Sequence, residues 1–191
     1  MVGTAAWSTR AYNKDIQTQR ADAQINEYYQ IKDAVRTQSV GSQPVVEIKT
    51  YSMDDLANLK HTENFTEKSK IHIFEGDINK KGQSGGYHYD MVEGTSGNII
   101  EGTKGSVLND AGVYEAKVEV NGTPKKANGG YSTFFPDHMS PQEVVDAINE
   151  AYSNKVLAHG NKYIGKSSNG LKIGMYIRES DGKIISAFPM E

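Results

Sequence analysis

Two histidines stand where acid–base chemistry could be done. His72 lies in Ile71-His72-Ile73-Phe74 and His88 in Gly86-Tyr87-His88-Tyr89-Asp90. Imidazole titrates near neutrality, so a neutral ring can take a proton while a charged one gives it. Both segments read as short strands, joined by a polar stretch from Glu75 to Gly85. Neighbouring strands joined in this way can turn two imidazoles into one pocket. Spacing alone leaves the plainer alternative open, two unrelated strand histidines. A metal has a single pointer, Asp90 two residues after His88. No His-x-x-His or Glu-x-x-His spacing accompanies it, so neither a metal nor another cofactor is expected. His61, His138 and His159 fall at helix ends or in loops and read as structural or solvent-facing. Gly85-Gly86, ahead of the second histidine, reads as a turn, with an anion-binding nest of backbone amides as the alternative.

The elements that must hold this pair follow from pattern and punctuation. Residues 4–38 contain no Gly or Pro, and Ile25, Tyr28, Tyr29 and Val35 recur at roughly helical spacing, which predicts one or two helices. Gly41 to Pro44 breaks that segment from the rest. Val45 to Lys49 reads as a short strand, and Ser52 with Asp55 forms a capping box that opens a short helix through Leu56 and Leu59. From about residue 70 short apolar runs alternate with Gly-rich turns. Strands are expected over Ile71–Phe74, Tyr87–Val92 and Asn98–Ile100. Another is expected over Val113–Val120, where Tyr114, Ala116, Val118 and Val120 share one face. Asn121-Gly122 marks a turn. Ser140 as N-cap, Pro141 at the first helical position and Glu143 closing the box predict a helix. Its apolar stripe is Val144, Val145, Ile148, Ala151 and Tyr152, and Asn154 is its stop. A hairpin closes the chain, its strands Leu171–Arg178 and Lys183–Phe188 joined by Ser180-Asp181-Gly182.

Composition narrows the classes further. The chain has 191 residues, 37% of them hydrophobic, which suits one domain or one domain with an appendage. No run approaches the roughly 20 apolar residues of a membrane-spanning helix, and no signal-peptide pattern is present. The absence of cysteine excludes disulfides, zinc–thiolate sites, iron–sulfur clusters and a thiol nucleophile. A net charge of −3 argues against a protein that coats nucleic acid. Charge is uneven, however. The window 155–183 sets Lys155, Lys162, Lys166, Lys172, Arg178 and Lys183 against Glu179 and Asp181, and is the best candidate for holding a phosphate backbone.

Four ordered segments carry a resemblance. They are His72-Ile73-Phe74-Glu75-Gly76, Gly86-Tyr87-His88, Ser132-Thr133-Phe134-Phe135-Pro136 with its capped helix, and Ile185-Ser186-Ala187-Phe188-Pro189. Together they resemble the bacterial EndoU endoribonucleases found at the C-terminal end of polymorphic toxins, over roughly residues 70–191. The resemblance implies an α+β fold of the barnase/EndoU/colicin/RelE-like kind, an antiparallel sheet with a packed helix, here with a helical N-terminal appendage. On that reading residues 1–45 are the end of a delivery or pretoxin region, 46–69 a connecting strand and short helix, and 70–191 the ribonuclease domain.

The resemblance also implies a reaction. Metal-independent attack of a 2′-hydroxyl on the neighbouring phosphate leaves a 2′,3′-cyclic phosphate and a 5′-hydroxyl. His72 is assigned as base and His88 as acid, Ser186 as a donor to the phosphate, Thr133 as a contact to the base and Phe188 as a stacking ring. One departure stands out. Gly129, Gly130 and Tyr131 occupy the place where many members carry a catalytic lysine, and Lys126, or its neighbour Lys125, lies a little upstream. The implied partners are an RNA substrate, tRNA among the candidates, and a cognate immunity protein. The implied setting is a larger exported toxin delivered into the cytoplasm of a competing cell. A non-catalytic RNA- or protein-binding module of the same fold is the competing reading, favoured by the missing lysine and the acidic net charge.

Overall fold

A computed structural model describes residues 49–191. The helices and linker expected before residue 45, and the strand expected over Val45–Lys49 up to residue 48, lie outside the described residues. The first described helix, α1 (Met53–Ala57), has the expected capping box. The Ser52 side chain accepts from the Asp55 N–H, and the Asp55 carboxylate accepts from the Ser52 N–H at 2.8 Å. The helix ends at Asn58, short of Leu59.

The first departure concerns His72. Ile71–Phe74 is the last turn of a helix, α2 (Glu67–Phe74), rather than a strand. Thr66 caps it, its side chain accepting from the Ser69 N–H at 3.0 Å. A strand would put Ile71 and Ile73 on one face. Instead Ile73 is fully buried and Ile71 is 43% exposed, with Ser69 and Phe74 sharing the buried side. Three apolar residues around one histidine are too short a run to set a period, so the cap upstream decided the outcome.

The second departure concerns His88. After a small antiparallel pair, β1 (Asp77–Ile78) with β2 (Ser84–Gly85), the expected strand over Tyr87–Val92 is irregular backbone, and Val92 alone makes an isolated bridge to Tyr51. Gly86 and Tyr87 both adopt positive φ, 73° and 59°. This turns the chain away from any strand partner and toward the end of α2.

Of the next four strands, the first two match expected ones to within a residue at each end, and the other two fall where no strand is expected. β3 (Gly97–Ile99), β4 (Tyr114–Val120) and β5 (Thr123–Pro124) form a sheet in that order, and β6 (Tyr131–Phe134) pairs antiparallel with β4. The expected alternation on β4 holds, with Tyr114, Ala116, Val118 and Val120 all buried. Asn121 and Gly122 make the tight turn after it, both at positive φ. Tyr114 stacks on Phe134 at 5.0 Å, and Tyr87 meets Phe134 edge-on at 5.6 Å.

Helix α3 (Pro141–Ser153) forms as expected, with Ser140 and Glu143 closing the capping box and Asn154 as C-cap. Val144, Val145, Ile148 and Ala151 are fully buried. Each of the Val and Ile side chains contributes about 1.5–3 kcal/mol relative to exposure. The stripe packs on an antiparallel meander of β7 (Val156–His159), β8 (Lys162–Lys166), β9 (Lys172–Ile177) and β10 (Ile184–Met190), in spatial order β10-β9-β8-β7. The closing hairpin was legible from the sequence; the β7–β8 hairpin was not, because Val156 and Leu157 are exposed and show no buried face. Gly165 lets helix and sheet close up, since a Cβ there would sit 1.9 Å from the Ala151 carbonyl oxygen. One sheet face buries Ile173, Met175, Ile177 and Ala187 against the helices. The other carries Ser186, Phe188 and Met190 of β10, in register with Tyr176, Gly174 and Lys172 of β9. The fold is thus α+β, antiparallel sheets with packed helices.

Candidate active site

The corner that holds the two histidines is built from backbone. A helix leaves its last carbonyls without intrahelical donors. Here the Tyr87 N–H donates to the His72 carbonyl at 2.8 Å and the His88 N–H to the Ile73 carbonyl at 2.7 Å. The close approach requires Gly86, because a Cβ on it would lie 2.1 Å from the His72 oxygen. The two chain segments are therefore clamped, and the imidazole rings stand 5.9 Å apart between centroids, tilted by 49°.

Each ring has a partner that fixes its orientation. His72 Nδ1 lies 2.6 Å from Asp77 Oδ1, and that hydrogen bond holds the Asp77 carboxyl below its usual range. A carboxylate accepts only, so Nδ1 carries a proton and Nε2 is left for the cavity. His88 Nδ1 lies 2.7 Å from the Thr133 carbonyl oxygen, which also accepts only, so its Nε2 is left in the same way. His88 is buried. Burial, reinforced by the nearby charges of His72 and Lys125, pushes its pKa down to about 3, against the opposing pull of the Thr133 carbonyl. His88 is accordingly a neutral ring at neutral pH.

The cavity around the pair measures about 770 Å³ and draws on both sheets. His72, His88, Thr133, Ser186 and Phe188 all line it. Thr133 ties the sheets together, its hydroxyl donating to the Pro189 carbonyl at 2.6 Å, which leaves the oxygen free to accept. Ser186 and Phe188 project from β10 by the period of two. Phe188 lies 5.8 Å from the His88 ring, and Lys162 Nζ sits 5.2 Å from the Phe188 ring centre. Lys126 is exposed and off the lining, whereas Lys125 lines the cavity. Lys125 Nζ donates to Ser132 Oγ at 2.8 Å, and Ser132 donates on to the Gly86 carbonyl at 2.7 Å. Burial lowers the Lys125 pKa to about 8.

The sequence reading missed Asp77, which a carboxylate five residues after a helix-end histidine would have signalled. Gly85-Gly86 forms a close-approach turn. His61, His138 and His159 are exposed and do not line the cavity. Of the basic window, Lys162 and Lys172 reach the lining. Arg178 is engaged with Asp181, Lys183 with the Glu63 carbonyl, and Lys155 covers the Tyr152 ring at 3.5 Å. Among the described residues no group of three or more His, Asp or Glu side chains converges as a metal site would require. Two oriented imidazoles, a half-buried amine and hydroxyls around one concave site can move protons and meet a developing negative charge.

The description Bacterial EndoU nuclease belongs to a family model that matches residues 66–191. A curated Bacillus cereus protein whose name is Toxin is 54% identical over 136 residues, which cover 71% of this chain and 25% of that protein. The chain thus spans about a quarter of that relative's length. No solved structure matches the chain.

Proposed function

The chain belongs to the bacterial EndoU nuclease family, and on that premise we propose that it is a metal-independent endoribonuclease. The 2′-oxygen of one nucleotide bonds to the adjacent phosphorus and the bond from phosphorus to the 5′-oxygen breaks. The products are a 2′,3′-cyclic phosphate and a 5′-hydroxyl. The observation that carries this reading is the pair of oriented rings 5.9 Å apart with both Nε2 atoms left for one cavity. Their environments favour the reverse of the order expected from sequence. His88, neutral through burial, takes the proton from the 2′-hydroxyl. His72, with the Asp77 carboxylate against Nδ1 to face its positive charge, gives a proton from Nε2 to the departing 5′-oxygen.

Lys125 supplies the positive charge for the phosphorane, the role left open by the glycines at 129 and 130, and its hydrogen bond to Ser132 holds the amine in place. Ser186 donates to a phosphate oxygen. Thr133 accepts from the base edge, and Phe188 stacks on the base of the nucleotide that carries the attacking hydroxyl. The name of the Bacillus cereus relative supports a setting in which this domain is the nuclease part of a longer exported toxin. Residues 1–45 then end a delivery region, 46–69 connect, and 70–191 cut RNA, tRNA among the candidates, in the cytoplasm of a competing bacterium. A cognate immunity protein protects the producer.

The test is purified protein with RNA in the presence of a chelator. Fragments ending in 2′,3′-cyclic phosphate are expected, and His72→Ala and His88→Ala should each slow their formation by about 10²- to 10⁴-fold. Intact RNA with the native protein would overturn the reading. Salt-sensitive RNA binding without that product would turn it into the non-catalytic alternative.

A further inference from the structure

Four rings form an unbroken row across the molecule. His72 and His88 stand 5.9 Å apart, His88 and Phe188 5.8 Å, and Phe188 and Tyr176 6.2 Å. The first two move protons and the third takes a base. The fourth has no part in the chemistry described above, although Tyr176 lines the same cavity and is 36% exposed in the middle of a sheet. The Phe188–Tyr176 end of the row is held by β-structure. Tyr176 on β9 is in register with Ser186 on β10 and with Lys162 on β8. The Phe188 ring approaches β9 closely because its partner there is Gly174, where a Cβ would meet the ring at 2.8 Å. A mid-strand glycine weakens a strand, and here it leaves a seat that aims Phe188 toward Tyr176. Lys162, with its Nζ 5.2 Å from the Phe188 ring, and Lys172, with its Nζ donating to the Glu191 carbonyl at 3.3 Å, line the same cavity.

Aromatic rings with lysines along one groove are the parts of a single-strand binding track: rings take base faces and ammonium groups take phosphates. We propose that Tyr176 is a second nucleobase platform, holding the base one nucleotide 5′ of the one on Phe188. Single-stranded RNA would then cross the open face of β8–β10 on its way to the histidines. This deepens the ribonuclease reading and rests on it. The polarity follows from the order of the rings. The scissile phosphate lies at the histidines, the nucleotide 5′ of it on Phe188, and the next nucleotide 5′ on Tyr176. Unpaired bases are required, because a duplex keeps base faces inside its own stack.

The experiment uses short oligonucleotide pools with a single ribonucleotide at the cleavage position. A dinucleotide, its extension by one nucleotide on the 5′ side, and its extension on the 3′ side are compared by kcat/KM for cyclic-phosphate formation. Stacking of one base corresponds to a gain of about 5- to 150-fold for the 5′ extension in the native protein. Tyr176→Ala should erase that gain, Tyr176→Phe should keep it, and an abasic residue at the added position should erase it without any change in the protein. Four results would overturn the proposal: no gain from the 5′ extension, a gain that survives Tyr176→Ala, retention with the abasic residue, or a Tyr176-dependent gain from the 3′ extension alone. Cyclic phosphate from no RNA at all marks the distinct failure of the ribonuclease reading itself.

Discussion

The corner of α2 with Gly86–His88 and the open face of β9–β10 contribute to one cavity by opposite means. At the corner, position comes from the main chain. Two helix-end carbonyls accept from the N–H groups of Tyr87 and His88, and a glycine permits the contact. On the sheet, position comes from side-chain alternation along regular strands, with Ser186 and Phe188 on one side and Ala187 buried on the other. The corner is over-determined and unforgiving, which suits the proposed proton transfer, since small misplacements of reacting groups cost large factors in rate. The sheet face is regular and tolerant, which suits a surface that guides a strand.

The contrast can be broken most severely at the histidines. His88→Ala and His72→Ala should each lower kcat by about 10²- to 10⁴-fold with melting temperature nearly retained for His72, whose ring is partly exposed. A quenched-RNA cleavage assay with thermal melts would check both. Gly86→Ala attacks the clamp without touching a reacting atom. A Cβ at φ 73° and 2.1 Å from the His72 carbonyl oxygen should destabilise the fold by about 2–5 kcal/mol, visible in urea denaturation, and remove cleavage with it.

On the sheet side, Phe188→Ala should weaken binding of a non-cleavable 2′-deoxy oligonucleotide by about 5- to 150-fold. The chemistry at saturating RNA should be affected far less. A loss confined to kcat would show that the ring positions His88 rather than the base.

The pH dependence separates the regions again. The Lys125 charge is present below a pKa of about 8 and lost above it, so kcat/KM should fall on the alkaline side of pH 8. Lys125→Arg, which stays charged, should move that limb upward. A limb unmoved by the substitution would place its origin in a group other than Lys125. The smallest effect lies far from both regions. Ser140→Ala removes the cap of α3 and should cost about 1 kcal/mol of stability, with cleavage unchanged at temperatures below the transition.

Much of the architecture was legible because its signals are local. The capped helix from Ser140, the alternation from Tyr114 to Val120 and the closing hairpin each carry cap, period and turn within a short window. Ile71–Phe74 and Tyr87–Val92 misled for a shared reason. Both are short mixed segments whose fate depends on groups outside them, the Thr66 cap for the first and the α2 carbonyls for the second. Lys125 and Lys126 could not be told apart in a Gly-rich loop; Lys125 lines the cavity, and its amine bonds to Ser132.

Residue order alone settles which side-chain chemistry is available. With no cysteine, it offered two histidines in order with Thr133, Ser186 and Phe188, and a basic stretch near the C-terminal end. Tertiary structure alone decided what those histidines are. Burial makes His88 a neutral ring, and the Asp77 carboxylate gives His72 a charged partner. The physical reason is that residue order fixes chemical identity, whereas proton affinity and ring orientation depend on dielectric, neighbouring charge and hydrogen-bond partners. Those exist only once distant segments have met.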